Sequence, residues 1–135
     1  MFLLDTDVIS DLMSATPSTK LVSRLAGVPY GQQFTSSITV GEVAYGAHRF
    51  QRRTAELLNR LGATLSGDIE VIPFDQDAAH QYGALRSDLE RRGTPIGEAD
   101  TRIASVALAR GLTVITGNVW YFEMVQGLRV ENWLV

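Results

Sequence analysis

The chain has 135 residues, 45% of them hydrophobic, which fits one compact domain over residues 1–135 with a normal core. Its formal net charge of -3 excludes the broad basic surface typical of proteins that bind nucleic acid nonspecifically. The absence of cysteine excludes disulfides and thiolate metal sites, and two isolated histidines do not indicate zinc, so any metal would be a hard cation with oxygen ligands.

Short apolar runs alternate with helical patterns along the chain, which is typical of an α/β fold with a parallel sheet covered by helices. The run at 2–5 predicts a first strand. Asp7 is placed to cap a short helix that extends to about Met13. A second helix begins at Ser18 or Thr19.

A strand at 34–37 leads into the longest predicted helix. Thr39 and Glu42 have the spacing of a capping box at its start, and the helical pattern extends to about Leu61. Several arginines lie mostly away from its apolar face. They include Arg49, Arg52, Arg53 and Arg60 and are interpreted first as a solvated face. The alternative is that Arg49, Arg52 and Arg53 contact the phosphates of a substrate or an acidic partner.

The second half continues the alternation. Asp75 is expected to cap one helix, and Gly111 is expected at the end of an alanine-rich helix. The predicted elements are strands at 69–74, 112–115 and 128–130 and helices that begin after Asp75 and at Gly97. No apolar segment is long enough to cross a membrane, so we expect a cytoplasmic protein.

Three acids occupy comparable positions beside these elements. Asp5 ends the first strand, Glu42 lies near the start of one helix, and Asp100 lies in the first turn of another. Ligands of open α/β sheets bind at the carboxyl ends of the strands, and several carboxylates gathered there repel one another unless a divalent cation bridges them. Magnesium or manganese would suit, and hydrolysis of a phosphodiester is the matching chemistry.

Each acid also has a purely structural interpretation. Glu42 would complete the capping box, Asp7 would cap the first helix, and Asp100 would gain from its helix dipole. Glu98 points roughly opposite Asp100, since a helix turns by about 100° per residue, so it is either a surface acid or an outer group of the site.

Asn118 follows the fourth predicted strand by a few residues. If the first and fourth strands are parallel, Asn118 lies at the same sheet edge as Asp5. Asparagine in a turn often satisfies only local backbone groups. The alternative is that Thr116 and Asn118 orient a water bound to a metal.

Five segments occur in an order typical of a known family: 3–9 (LLDTDVI), 37–43 (SITVGEV), 96–104 (IGEADTRIA), 113–122 and 127–133. Through these segments the chain resembles the PIN-domain ribonucleases, and within them the VapC-type toxins of bacterial toxin–antitoxin pairs. The resemblance implies an α/β/α sandwich around a central parallel sheet. It also implies magnesium or manganese bound at an acidic centre formed by Asp5, Glu42 and Asp100.

The resemblance further implies partners and supporting residues. The substrate would be single-stranded or structured RNA, the chain would form a homodimer, and a small VapB-like antitoxin would insert near the active site and build larger assemblies. Asn118 stands where many relatives have aspartate, which lowers the anionic count by one and argues against a second tightly held metal unless Asp7 or Glu98 substitutes through water. Thr6 and Thr116 would support the centre.

Two other functions fit parts of the sequence. An aspartate-nucleophile phosphatase also begins with a strand followed by an Asp-x-Asp motif, but it needs a distant lysine, and Lys20 is the only lysine and follows too soon. A degenerate PIN-like module that binds a partner without catalysis would keep the fold and lose acids from the centre. Because all three acids are present, the sequence favours an endoribonuclease.

Overall fold

The computed structural model describes residues 1–135 and contains one sheet of five parallel strands. The strands are β1 (Phe2–Leu4), β2 (Gln33–Ser36), β3 (Ile69–Ile72), β4 (Thr113–Ile115) and β5 (Val130–Glu131). Their spatial order is β3-β2-β1-β4-β5. Since β1 is central and pairs in parallel with β2 and β4, the residues that follow these three strands meet at one edge of the sheet. The predicted parallel sheet is confirmed.

Seven helices connect the strands. They are α1 (Thr6–Met13), α2 (Thr19–Ala26), α3 (Ser37–Arg49), α4 (Thr54–Leu65), α5 (Gln76–Arg91), α6 (Glu98–Arg110) and α7 (Val119–Phe122). The short α7 lies where the sequence predicts only a polar turn after β4. None of these helices has the length and apolar character needed to cross a membrane.

The core lies in two layers, one on each side of the sheet. Leu3 of β1 faces a cluster built mainly from α5 and α6, whereas its neighbour Leu4 faces a cluster built from α1, α2 and α4. Successive residues of a strand point to opposite faces, so both faces of β1 are buried, as parallel sheets require. This arrangement is the expected α/β/α sandwich.

Several local predictions at helix ends are confirmed. Ser18 and Asp75 cap α2 and α5, and Asp75 accepts a hydrogen bond from the backbone N–H of Ala78 at 3.0 Å. Gly111 ends α6 in the left-handed conformation. The prediction that Asp7 caps α1 is wrong, because Asp5 occupies the N-cap position and Asp7 lies within the first turn.

The predicted capping box of Thr39 and Glu42 is also wrong. The N-cap of α3 is Ser36, whose Oγ accepts a hydrogen bond from the backbone N–H of Thr39 at 3.1 Å. Glu42 therefore lies one turn further along the helix than expected, where its side chain is available to contact another element.

The long predicted helix is in fact two helices, because α3 ends at Arg49 and α4 begins at Thr54. The Thr54 hydroxyl donates to the carbonyl oxygen of Ala47 at 2.9 Å, and this oxygen also accepts a hydrogen bond from the backbone N–H of Phe50 at 3.3 Å. Arg52 and Arg53 consequently lie in the turn between α3 and α4 rather than on a helix.

A pair of glycine variants tests the backbone leading to α6. Gly97 has a φ of 96°, which side chains rarely adopt, whereas Gly83 lies within α5 with open space around it. We expect Gly97→Ala to destabilise the protein by about 1–3 kcal/mol. We expect Gly83→Ala to stabilise it by about 0.5–1 kcal/mol. Urea denaturation of both variants checks this, and equal effects would contradict the strained geometry at Gly97.

Candidate active site

Asp5 is a buried carboxylate at the carboxyl end of the central strand. Its backbone N–H donates to the carbonyl oxygen of Ile115, and its side chain is only 2% exposed. Oδ2 accepts a hydrogen bond from the Thr116 hydroxyl at 2.8 Å, whereas Oδ1 is buried without any partner. Unpartnered buried polar atoms are rare and costly in folded proteins, so this oxygen indicates a site that is complete only with a ligand.

Burial controls the protonation of Asp5. Loss of hydration is the main cause that raises the pKa of Asp5 to about 7, and the nearby charges of Asp7 and Asp100 contribute to the rise. Hydrogen bonds from the Thr6 backbone and the Thr116 hydroxyl partly oppose this rise. The carboxyl is therefore about half ionised near neutral pH unless a cation approaches it.

Asp100 faces the same region from the first turn of α6. Burial raises the pKa of Asp100 to about 6, and the charges of Glu42 and Asp7 contribute to the rise. Asp5 and Asp100 therefore lie within electrostatic range of each other and of Asp7, and Asp100 lies within range of Glu42 as well. These acids lie at the edge of the sheet where the sequence predicts an acidic centre.

Glu42 is held by the start of α1. The Thr6 hydroxyl donates to Oε1 of Glu42 at 2.6 Å, and the same hydroxyl lies 3.2 Å from the hydroxyl of Thr39. Thr39 is itself fixed by the Ser36 cap. Thr6 thus orients Glu42 from the neighbouring helix, a positioning role that Ser36 and Thr39 share indirectly.

Asp7 is fixed by the loop after β4. Its Oδ2 accepts a hydrogen bond from the backbone N–H of Gly117 at 2.7 Å. A Cβ at Gly117 would lie 2.7 Å from the same carboxylate oxygen, so only glycine permits this approach. The role of Gly117 could not be predicted from the sequence. The Thr-Gly-Asn turn was visible in the sequence, but its contact with Asp7 joins residues that are 110 positions apart.

Thr116 links this loop to Asp5. Its hydroxyl donates to Asp5 and accepts a hydrogen bond from the backbone N–H of Asn118 at 2.9 Å. Thr116 is completely buried, whereas Asn118 is exposed and its side chain makes no hydrogen bond within the protein. The Asn118 amide is therefore free to contact a ligand at this edge.

Two predicted groups are occupied by ion pairs, and one of them, Arg53, also lines a cavity with Thr6 and Glu42. The exposed Glu98 carboxylate is 3.4 Å from Arg86 and 3.8 Å from Arg102, consistent with the expected surface or outer position. Arg53, in the turn after α3, is paired with Glu56 at 3.1 Å.

The donor set suits a hard divalent cation. It consists of carboxylate oxygens, and one of them, Asp5 Oδ1, is buried and unpartnered. No three acidic or histidine side chains are arranged to hold a metal in the observed side-chain conformations. Carboxylates of like charge repel one another, so a bound cation would favour their closer approach.

Sequence and structure both relate this chain to known proteins. The PIN-domain family model matches residues 2–120. The tRNA(fMet)-specific endonuclease VapC of Shigella flexneri is 35% identical over 135 residues, covering 98% of this chain and 97% of the relative. The structure of DNA-bound VapBC from Salmonella typhimurium has a TM-score of 0.89 at 34% identity, covering 98% of this chain and 97% of that chain.

A third similarity concerns the type of biological system. VapBC-5 from Mycobacterium tuberculosis, a member of the VapBC family of toxin–antitoxin systems, has a TM-score of 0.67 at 28% identity. The match covers 98% of this chain and 97% of that chain.

Asp100→Asn tests the like-charge repulsion by the pH dependence of stability. Folding raises the pKa of Asp100 from 3.8 to about 6. Between these two pH values the Asp100 carboxyl is protonated in the folded chain and ionised in the unfolded chain. Stability should therefore fall as the pH rises through this window and then level off. In chelator, the variant should melt at nearly the parent temperature at about pH 4.5 and several degrees higher at about pH 8.

The matched control is Asp68→Asn, which changes an exposed acid before β3. It should show no comparable gain at high pH. A lower melting temperature for Asp100→Asn at both pH values would mean that Asp100 stabilises the fold through its helix dipole instead.

Thr116→Val tests the hydroxyl that supports Asp5. Loss of the hydroxyl removes the donor to Oδ2 and the acceptor for Asn118, which should cost about 1–3 kcal/mol of stability at alkaline pH. The pKa of Asp5, followed by NMR of the carboxyl carbon, should rise above its parent value of about 7. Thr116→Ser should restore both properties, and an unchanged Asp5 titration in Thr116→Val would contradict the assigned bond.

Proposed function

The chain belongs to the PIN-domain family and, within it, to the VapC ribonucleases, and we propose that Asp5, Glu42 and Asp100 hold the divalent cation with which it hydrolyses RNA. The chain is an endoribonuclease toxin, and a VapB-like antitoxin neutralises it. Mg²⁺ or Mn²⁺ is the proposed metal, because both prefer carboxylate oxygen ligands.

One observation carries the proposal. Asp5 is a buried carboxylate with an unpartnered oxygen, and its pKa is raised mainly by burial and further by the other acids at this edge of the sheet. A structural role would instead surround such a group with hydrogen-bond donors or a basic side chain. No arginine or lysine contacts Asp5, Glu42 or Asp100 in the structure, so a cation is the partner that the site's charge requires.

Each residue of the chain has a distinct task in this proposal. A bound divalent cation lowers the pKa of a water molecule and neutralises charge that develops on phosphoryl oxygens. Thr116 holds Asp5 through Oδ2 and leaves Oδ1 free, and Thr6 fixes Oε1 of Glu42. Burial of Asp5 excludes bulk water from its side of the site, which strengthens the interaction of its charge with a cation.

Asn118, Asp7 and Glu98 act around this centre. We assign the Asn118 amide to orienting water or a phosphate oxygen, since the amide is exposed and unbonded at the same edge. Asp7 adds negative charge and is fixed by Gly117. Glu98 reaches the site only indirectly, because its carboxylate is paired with Arg86 and Arg102.

We also propose that the chain works as a homodimer in the cytoplasm. Its RNA substrate and antitoxin are expected there, and a chain without cysteine gains nothing from an oxidising compartment.

Cleavage by the purified chain, freed of antitoxin, tests the proposed function. The parent should cleave structured RNA with Mg²⁺ and not with EDTA. Asp100→Asn should reduce the activity by more than the loss of about 10- to 100-fold that is typical when a residue only supports a metal ligand. Mg²⁺ should raise the melting temperature of the parent and leave the variant nearly unchanged, because a ligand stabilises only the state that binds it.

The matched control is Asp68→Asn, which alters an exposed acid before β3, at the opposite edge of the sheet. It should retain most of the activity and the response to Mg²⁺. Cleavage that persists in EDTA would contradict the metal requirement. Absence of both cleavage and metal binding in the parent would instead favour a PIN-like module that only binds a partner.

A further inference from the structure

One face of α3 leads away from the acidic centre to an exposed aromatic residue and an arginine. Glu42, Tyr45 and Arg49 are spaced at i, i+3 and i+7, so they lie on the same side of the helix. Glu42 and Arg49 are seven positions apart, which corresponds to about 10 Å along the helix axis. This face therefore forms a continuous strip that begins at a proposed metal ligand.

Tyr45 is unusually exposed for a large aromatic side chain. It is 66% exposed, and the guanidinium carbon of Arg49 lies 5.8 Å from its ring centroid. The contact orients the ring and the guanidinium relative to each other while most of the ring surface stays open. Phe50, the next residue, is also 63% exposed.

The arginines at this position differ from the others in the chain. Nine of the eleven donate to an oxygen atom of the protein or form an ion pair with a carboxylate. The two with no such partner are Arg49 and Arg52, which lie three residues apart at the end of α3 and in the following turn. Their guanidinium donors are available to an external anion.

We infer that Tyr45 stacks on a base of single-stranded RNA whose cleaved bond lies at the acidic centre, while Arg49 and Arg52 bind the phosphates of the same strand. This inference rests on the proposed function. Exposed aromatic rings that alternate with free arginines are the usual way in which proteins hold unpaired bases and their phosphates. The strip also explains how a chain of net charge -3 retains a polyanion beside four acids.

The strip favours RNA over a protein partner, because a single RNA strand offers phosphates to its arginines and bases to its aromatic ring. A guanidinium binds phosphate in two-point geometry, and a ring offers every base a stacking surface. Tyr45 and Arg49 are four positions apart, which is about 6 Å along the helix, so one nucleotide can contact both side chains.

Binding of two RNA oligonucleotides tests the inference. The probes are a labelled single-stranded decamer and a decamer of equal charge with abasic positions, measured by fluorescence anisotropy with the antitoxin-free protein in EDTA, where cleavage is absent. Tyr45→Ala should weaken binding of the normal decamer at least about fivefold. Its affinity for the abasic decamer should match that of the parent.

Further variants separate stacking from charge. Tyr45→Phe should bind as the parent does, because the ring is kept. Arg49→Ala should weaken both decamers and reduce the salt slope of binding by about one. The matched control is Tyr30→Ala, since Tyr30 is 88% exposed but precedes β2 and so lies at the opposite edge of the sheet. It should change neither affinity.

The possible failures are distinguishable. If the parent binds the decamer and Tyr45→Ala binds it equally well, the stacking assignment is wrong while the proposed function stands. If Tyr45→Ala instead changes the sedimentation of the protein or its retention of antitoxin, with RNA affinity intact, the strip is a protein interface. A parent that neither binds nor cleaves RNA overturns both the strip and the proposed function.

Discussion

Burial of the Asp5 carboxylate among other acids is the constraint around which this end of the molecule is organised. A carboxylate at the end of a central parallel strand loses most of its hydration, and nearby negative charges increase the cost of ionising it. The chain supplies only one side-chain hydrogen bond, from Thr116, and leaves the second oxygen without a partner. Part of the free-energy cost of ionising Asp5 therefore remains in the folded chain, and a bound cation would reduce it.

The surrounding elements stabilise this arrangement without neutralising it. Asp5 occupies the N-cap position of α1, and Asp100 lies in the first turn of α6, so both acids lie near the positive end of a helix dipole. Thr6 and Gly117 fix Glu42 and Asp7 by hydrogen bonds. These contacts hold the carboxylates in place, yet none brings a full positive charge to the centre. The centre therefore keeps a local excess of negative charge, which is the basis of the proposed metal site.

The α3 helix connects this centre to the surface on which substrate is proposed to lie. The Ser36 cap sets where α3 begins, and that start places Glu42 in the second turn against Thr6. The same register then directs Tyr45 and Arg49 along the face that carries Glu42. A shift of one residue in the helix start would rotate Glu42, Tyr45 and Arg49 by about 100° around the helix axis and turn them away from Asp5 and Asp100. One local hydrogen bond thus couples the chemistry to the proposed RNA contact.

The sequence alone determined the parallel α/β architecture, the position of Asp5 at the end of the first strand and the helix cap at Asp75, and it predicted that Glu42 and Asp100 lie near the same edge of the sheet. These features follow from local patterns and from the rule that parallel strands share one carboxyl edge. Only the tertiary structure decided that Asp7 binds Gly117 rather than caps α1, that α3 ends at Arg49, and that Arg49 and Arg52 lack partners while Arg53 pairs with Glu56. No proline or glycine marks the break after Arg49. Such features depend on contacts between distant residues, or on competition among several acceptors, and neither is encoded in local spacing.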